Sequence, residues 1–174
     1  TILDFGCGTG GFLRECQKNK MNVTGVEPSS IARATAIKDT KAPIHPDISS
    51  LRETFDAITL WHVLEHVADL HETLRNLSDL LNQNGTMFIA VPNLKSRDAE
   101  TYQEHWAGYD VPRHLWHFSK TTMKRALEYH ELKLVTALPM RLDSYYVSLL
   151  SEKYRNQKTP FLNMVRAVYN GWKS

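Results

Sequence analysis

The densest chemistry in the sequence lies at its start. In Asp4-Phe5-Gly6-Cys7-Gly8-Thr9-Gly10-Gly11 the glycines at 6, 8 and 11 have the G-x-G-x-x-G spacing of a turn whose backbone approaches a ligand. The spacing does not choose that ligand, and the residue before it does. A carboxylate at the end of the first strand, Asp4, would repel a pyrophosphate where a helix N-terminus should attract an anion. S-adenosylmethionine instead carries a sulfonium and an ammonium, and a carboxylate near its amino-acid end is complementary. Glu27 stands about 20 residues beyond the glycines, where a carboxylate accepts hydrogen bonds from the ribose hydroxyls of either cofactor. Asp47 and Ile48 suit the adenine amino group and ring, although an Asp in a loop flanked by prolines is equally a turn former.

These residues need a scaffold, and the pattern supplies one. Short β-like runs alternate with helical stretches, the mark of crossover units on a parallel sheet. Strands are predicted at 1–5, 22–27, near Ile44, at 55–61, 86–91 and 132–138. Helices are predicted from Gly11 to about Lys20, through Ile31, Ala34 and Ile37 behind a Pro28-Ser29-Ser30 cap, and along Leu70, Leu74, Leu77 and Leu81 until Asn84-Gly85. A further helix, capped by Ser119, runs to about Tyr129. With 174 residues, 42% hydrophobic, the chain can bury one sizeable core. Its net charge of +2 comes without a Lys/Arg block, so no nucleic acid is expected as partner. Two cysteines make no disulfide framework, and no apolar run reaches a membrane-spanning length, which together read as a reducing, cytoplasmic setting. The chain opens on Thr1-Ile2-Leu3, inside an apolar stretch, and reads as a fragment whose start lies upstream.

Four segments, "TILDFGCGTGGFL", "VTGVEPS", "FDAITLWHVLEHVADL" and "NGTMFIAVPN", resemble the successive motifs of class I S-adenosylmethionine-dependent methyltransferases. Within that superfamily the chain resembles the branch containing the ubiquinone-biosynthesis O-methyltransferases and many uncharacterised bacterial methyltransferases. The resemblance runs from residue 1 to about residue 138 and implies a doubly wound, Rossmann-like sheet in the order 3-2-1-4-5-7-6, with strand seven antiparallel. The cofactor would lie over the carboxyl ends of strands one, two and four. Carried over by position, Asp4, Gly6, Cys7 and Gly8 would contact the methionine end and Glu27 the ribose, with Pro28 also at the cofactor. Asp47 and Ile48 would flank the adenine, and Trp61 and His62 would close over the cofactor at strand four. No metal is implied. The expected activity is methyl transfer to a small-molecule acceptor, through an oxygen nucleophile. The alternatives are a cofactor-fold binding or assembly subunit without catalysis, and an NAD-dependent oxidoreductase, which Asp4 disfavours.

A sulfonium methyl is already a strong electrophile, so the protein must align a nucleophile, exclude water and take a proton if the nucleophile is a hydroxyl. Histidine suits that last task near neutral pH. His62 reads as a wall of the cofactor pocket and His66 as a support of its loop, which leaves His114 and His117 as the candidate bases. They belong to "YQEHWAGYDVPRHLWHF", inside the irregular segment 92–118, whose length and aromatic content mark a lid or binding loop. Tyr102, Trp106 and Tyr109 would line an acceptor pocket, and Arg113 points to a planar, acidic small molecule. The competing reading has these rings packing the loop against the sheet edge.

The domain reading is a cofactor-binding core over 1–138, an acceptor segment 92–118 within it, and a helical extension over 139–174. The extension reads as two helices, "DSYYVSLLSEKYRN" and "PFLNMVRAVYNGWKS", the second with an apolar stripe of Phe161, Met164, Val165, Val168, Tyr169 and Trp172. Strand seven is missing and is expected beyond residue 174. Five Lys/Arg against one acid over 151–174 suit a peripheral membrane surface or a lipid-like acceptor, with packing on the chain's own domain the competing reading.

Overall fold

A computed structural model describes residues 1–155. The chain divides into two compact units, Thr1–Val91 and Pro92–Ser174. The division falls at residue 91, inside the span 1–138, and the segment 92–118 lies in the second unit.

The first unit runs β1 (Ile2–Phe5), α1 (Gly11–Lys18), β2 (Val23–Val26), α2 (Ser30–Thr40), β3 (Ile44–His45), β4 (Phe55–Trp61), α3 (Leu70–Asp79) and β5 (Leu81–Ala90). Its strands form one five-stranded parallel sheet in the order β3-β2-β1-β4-β5, a Rossmann-like arrangement that matches the first five positions of the expected order. β1 is central, pairing Ile2–Phe5 with Val23–Val26 on one side and Ile2–Asp4 with Ala57–Thr59 on the other. Strands buried on both faces carry near-continuous apolar runs, and Leu3, Ile58 and Leu60 are wholly buried. Leu13 and Cys16 of α1 pack with Cys7, Val23, Ala36 and Ala42. Leu70, Leu74 and Leu77 recur at helical spacing as the buried stripe of α3. The expected Ser29 cap forms, its Oγ accepting from Ala32 N at 3.4 Å, and Asp69, not expected from the sequence, caps α3 by accepting from Glu72 N through Oδ1 at 2.8 Å.

The end of α3 differs from its prediction. The helix stops at Asp79, and Leu81 opens β5 instead of closing the helical stripe. Asn84-Gly85 lies inside the strand, where the register against β4 jumps from Phe55↔Leu81 to Ala57↔Thr86. The turn signal is real, but it makes a bulge within a strand rather than a helix terminus.

The second unit, described to residue 155, contains α4 (Arg97–Tyr102), two 3-10 turns (Gln103–His105 and Ala107–Tyr109), α5 (Lys120–Tyr129) and α6 (Arg141–Arg155). Ser119 caps α5 in a reciprocal box with Thr122. Ala99, Tyr102 and Trp106 form its core with Leu94, Tyr109 and Val147. α6 is fixed to α4 and the turns by polar contacts: Ser148 Oγ donates to Asp98 Oδ2 at 2.5 Å, and Ala107 N donates to Ser151 Oγ at 2.8 Å. The predicted sixth strand does not form, because 132–138 joins no ladder and leaves Val135 and Leu138 some 80% exposed. Alternating apolar residues specify a strand only where an edge is available to pair with them. No seventh strand occurs among the described residues. The predicted second helix of the extension lies outside them.

Candidate cofactor-binding site

The turn between β1 and α1 is built from left-handed glycines. Gly6, Gly8 and Gly10 have φ of 80°, 55° and 80°, whereas Gly11 simply opens α1. The third glycine that the fold requires is thus Gly10, not the Gly11 of the spacing rule. A Cβ on Gly10 would stand 2.9 Å from Thr40 Cγ2 and 3.3 Å from the Ala36 Cα, and one on Gly6 would stand 2.4 Å from Val63 Cγ2. A Cβ on Gly8 would meet nothing within 4 Å. The turn is anchored to β2, with Gly6 N and Cys7 N both donating to Val26 O at 2.8 and 3.0 Å.

Two carboxylates flank this turn. Asp4, next to last in β1, is 2% exposed, and its Oδ1 accepts from Thr59 Oγ1 of β4 at 2.7 Å. Burial pushes its carboxyl from 3.8 up to about 6, and the Thr59 hydroxyl opposes that rise. Glu27, buried just past β2, accepts from Gly8 N through Oε2 at 2.9 Å and from Ser29 N through Oε1 at 2.8 Å. The sequence reading assigned Glu27 to the ribose and missed this second task, in which Glu27 ties the glycine turn to the start of α2. It also missed Arg33, whose Nη1 donates to Glu27 O at 2.7 Å and Pro28 O at 3.0 Å and so fixes the peptide that carries the carboxylate. An arginine in the second turn of a helix carries no sequence mark that separates it from a solvated one.

Other expected contacts divide. Cys7 contributes backbone to the turn, but its thiol lies in the core, pushed up to about 12 by burial and by Asp4 and Glu27. Asp47 is the turn former: Oδ1 accepts from Ser49 N at 2.8 Å and from the Ser49 hydroxyl, and those bonds lower its pKa. Ile48 follows it, half-buried. Trp61 ends β4 with its ring edge-on to Phe12 at 5.3 Å. His62 adopts φ 56°, donates its peptide N–H to Ala90 O at 3.0 Å, and places Nδ1 3.4 Å from Glu65 Oε1.

The second unit holds the remaining candidates. Tyr102 and Trp106 are 2% and 4% exposed in its core, so they pack the loop on its own helices and do not line an opening. Tyr109 lines a depression of about 740 Å³ with Ala99, Glu100, Gln103, Glu104 and Val111. Arg113 is paired with Asp110 of the same loop, Nη2 to Oδ2 at 2.7 Å. His114 Nδ1 bonds Gly108 O at 2.9 Å and His117 Nε2 bonds Tyr109 O at 3.0 Å. A carbonyl only accepts, so both nitrogens carry protons and both rings brace the loop.

The methyltransferase-domain family model matches residues 1–137. The chain belongs to the methyltransferase-domain family. Among its relatives is a ubiquinone biosynthesis O-methyltransferase of Mesorhizobium japonicum, 28% identical over 138 residues, a match covering 73% of this chain and 55% of that protein. One from Aeromonas salmonicida is 32% identical over 103 residues, covering 53% and 43%. The chain thus spans about half the length of the curated relatives it matches. Two solved structures share the fold: the plantazolicin methyltransferase BpumL with a desmethylPZN analogue and SAH (TM-score 0.60, 23% identity, 74% of this chain and 54% of that one), and the magnesium protoporphyrin IX methyltransferase of Synechocystis with SAH (TM-score 0.63, 15% identity, 78% and 65%).

This methyltransferase domain offers a cofactor three complementary features at the carboxyl ends of β1 and β2. A buried carboxylate suits a cation, a turn open at Gly8 admits close approach, and Glu27 retains lone pairs beyond the two it gives to backbone N–H groups. No helix among the described residues is long and apolar enough to cross a membrane.

Proposed function

We propose that the first unit binds S-adenosylmethionine and that the protein transfers its methyl group to the oxygen of a small-molecule acceptor. The observation that carries this reading is the buried Asp4 carboxylate beneath a glycine turn that Glu27 grips through Gly8 N. When bound, S-adenosylmethionine supplies an electrophilic methyl on a positively charged sulfur. Asp4 would pair with the ammonium of its amino-acid end, Glu27 would accept from the ribose hydroxyls, Ile48 would flank the adenine with Pro28 also at the cofactor, and Trp61 with His62 would wall it at β4. Arg33 holds Glu27 in register through its carbonyl. The names of the curated relatives support oxygen as the acceptor atom.

Calorimetric titration with S-adenosylmethionine, S-adenosylhomocysteine and NAD tests the reading. The first two bind and NAD does not. Binding of NAD in their place would return the glycine turn to an oxidoreductase, and binding of none would favour a subunit without catalysis.

A further inference from the structure

Glu65 is a buried acid that the cofactor reading leaves without a task. It lies in the 3-10 turn Leu64–His66 after β4, is 1% exposed, and neither carboxylate oxygen accepts a hydrogen bond. A carboxylate taken out of water without donors is costly, and a fold retains one where a charge is to face it. Two rings of its own turn stand near it: His62, with Nδ1 3.4 Å from Oε1, and His66, with a ring nitrogen within 4.8 Å of a carboxylate oxygen. His62 is held there against its own preference. Its φ of 56° is the left-handed conformation that side chains with a Cβ disfavour, and the peptide is pinned to Ala90 O. The next residue, Val63, closes on Gly6, so this strained turn sets the imidazole one residue from the wall of the glycine turn, with 44% of its side chain exposed.

We propose that His62 and Glu65 form a dyad in which His62 is the base for a hydroxyl acceptor and Glu65 is its positioning residue; this rests on the methyltransferase reading above. A proton on Nδ1 directed at Glu65 makes Nε2 the accepting nitrogen. The 3.4 Å separation is long for a hydrogen bond, as such contacts often are before substrate binds. In the reaction the acceptor oxygen forms a bond to the methyl carbon as the carbon–sulfur bond breaks, and that electron pair returns to sulfur to leave a neutral thioether. The hydroxyl proton passes to His62 Nε2, Glu65 stabilises the imidazolium, and the proton leaves to water. His117 bonds the neutral Tyr109 carbonyl, and His114 bonds Gly108 O through Nδ1 while its Nε2 stands 3.7 Å from Asp110 Oδ2, an acid that Arg113 already pairs, whereas no hydrogen bond reaches the Glu65 carboxylate.

The test is the tautomer and titration of His62 by imidazole ¹⁵N NMR on the full chain with S-adenosylhomocysteine added. Neutral His62 carries its proton on Nδ1, and Glu65→Gln lowers its pKa by about one unit because an opposite charge is lost. His66 is the neighbouring ionisable ring in this turn, with a ligand atom within 4.8 Å of Glu65, and His66→Gln leaves the His62 tautomer unchanged. With protocatechuate as hydroxyl probe, His62→Gln slows turnover roughly 10²–10⁴-fold and abolishes the acidic limb of the pH profile. A wild-type His62 protonated on Nε2, an unchanged pKa in Glu65→Gln, or saturable Mg²⁺ binding that Glu65→Gln abolishes would each overturn the dyad. The wild-type tautomer decides even if a variant misfolds. Failure of S-adenosylhomocysteine to bind would overturn the methyltransferase reading instead.

Discussion

Replacing Asp4 by Asn should make the protein more stable and a poorer binder of its cofactor. Burial raises the Asp4 carboxyl from 3.8 to about 6, against the pull of the Thr59 hydroxyl. Between those two values the folded protein keeps a proton that the unfolded chain has released, so stability falls as pH rises through the window. One pKa unit corresponds to roughly 1.4 kcal/mol, so the fall amounts to roughly 3 kcal/mol and is complete above pH 6. Asn keeps the shape and an oxygen for Thr59 Oγ1 but has no charge to bury. Leaving its amide N–H groups poorly paired takes back roughly 1 kcal/mol or more, which leaves a net gain of roughly 1–2 kcal/mol at pH 7.5 and none below pH 4. Urea unfolding followed by circular dichroism at both pH values measures it. Affinity should move the other way. Losing a charge-assisted contact to the ammonium costs roughly 1.5–3 kcal/mol of S-adenosylmethionine binding. Wild-type affinity should also weaken about tenfold per unit below pH 6, where Asp4 must release its proton to bind a cation, and the Asn variant should be flat over that range. A variant less stable at every pH, with wild-type affinity, would refute the placement of Asp4 as a strained cation receptor.

The turn gives a paired test. Gly10→Ala should destabilise by roughly 1–3 kcal/mol, from its left-handed φ and the contacts with Thr40 and Ala36, whereas Gly11→Ala should be neutral or stabilising by up to about 1 kcal/mol; thermal melts separate the two. Arg33→Ala should raise the KM for S-adenosylmethionine about three- to tenfold with kcat retained, and Arg33→Lys should recover part of the loss; a change in kcat alone would contradict its role in holding Glu27. His114→Gln and His117→Gln should each lower the melting temperature by a few degrees, through the lost carbonyl contacts, while calorimetric affinity for S-adenosylhomocysteine stays as in the wild type.

What could be read from the sequence was local. β4 ends at Trp61 and α5 begins after Ser119 because apolar periodicity and a cap are carried by neighbouring residues. Asp4 and Glu27 were legible because a glycine turn ties their place to a spacing. The rest depends on partners distant in the chain. The run 132–138 has the alternation of a strand but no ladder, and Leu81 fits a helical stripe yet pairs with Phe55. Gly10 matters because α2 passes above it, which no motif encodes. The aromatic segment was read as pocket lining, whereas Tyr102 and Trp106 give their area to the core of a small helical unit. Glu65 looked like part of a motif, and its significance comes only from burial without a donor.

On the proposed reading, S-adenosylmethionine lies over the carboxyl ends of β1 and β2, held by Asp4 and Glu27. A crystal structure of the protein with S-adenosylhomocysteine tests it most directly. The ribose hydroxyls should lie within about 3.2 Å of the Glu27 carboxylate while Gly8 N keeps its bond to Oε2, and the ammonium should be directed to the Asp4 end of the turn. A ligand seated away from the glycine turn, or one whose ribose leaves Glu27 bonded to backbone alone, would contradict it.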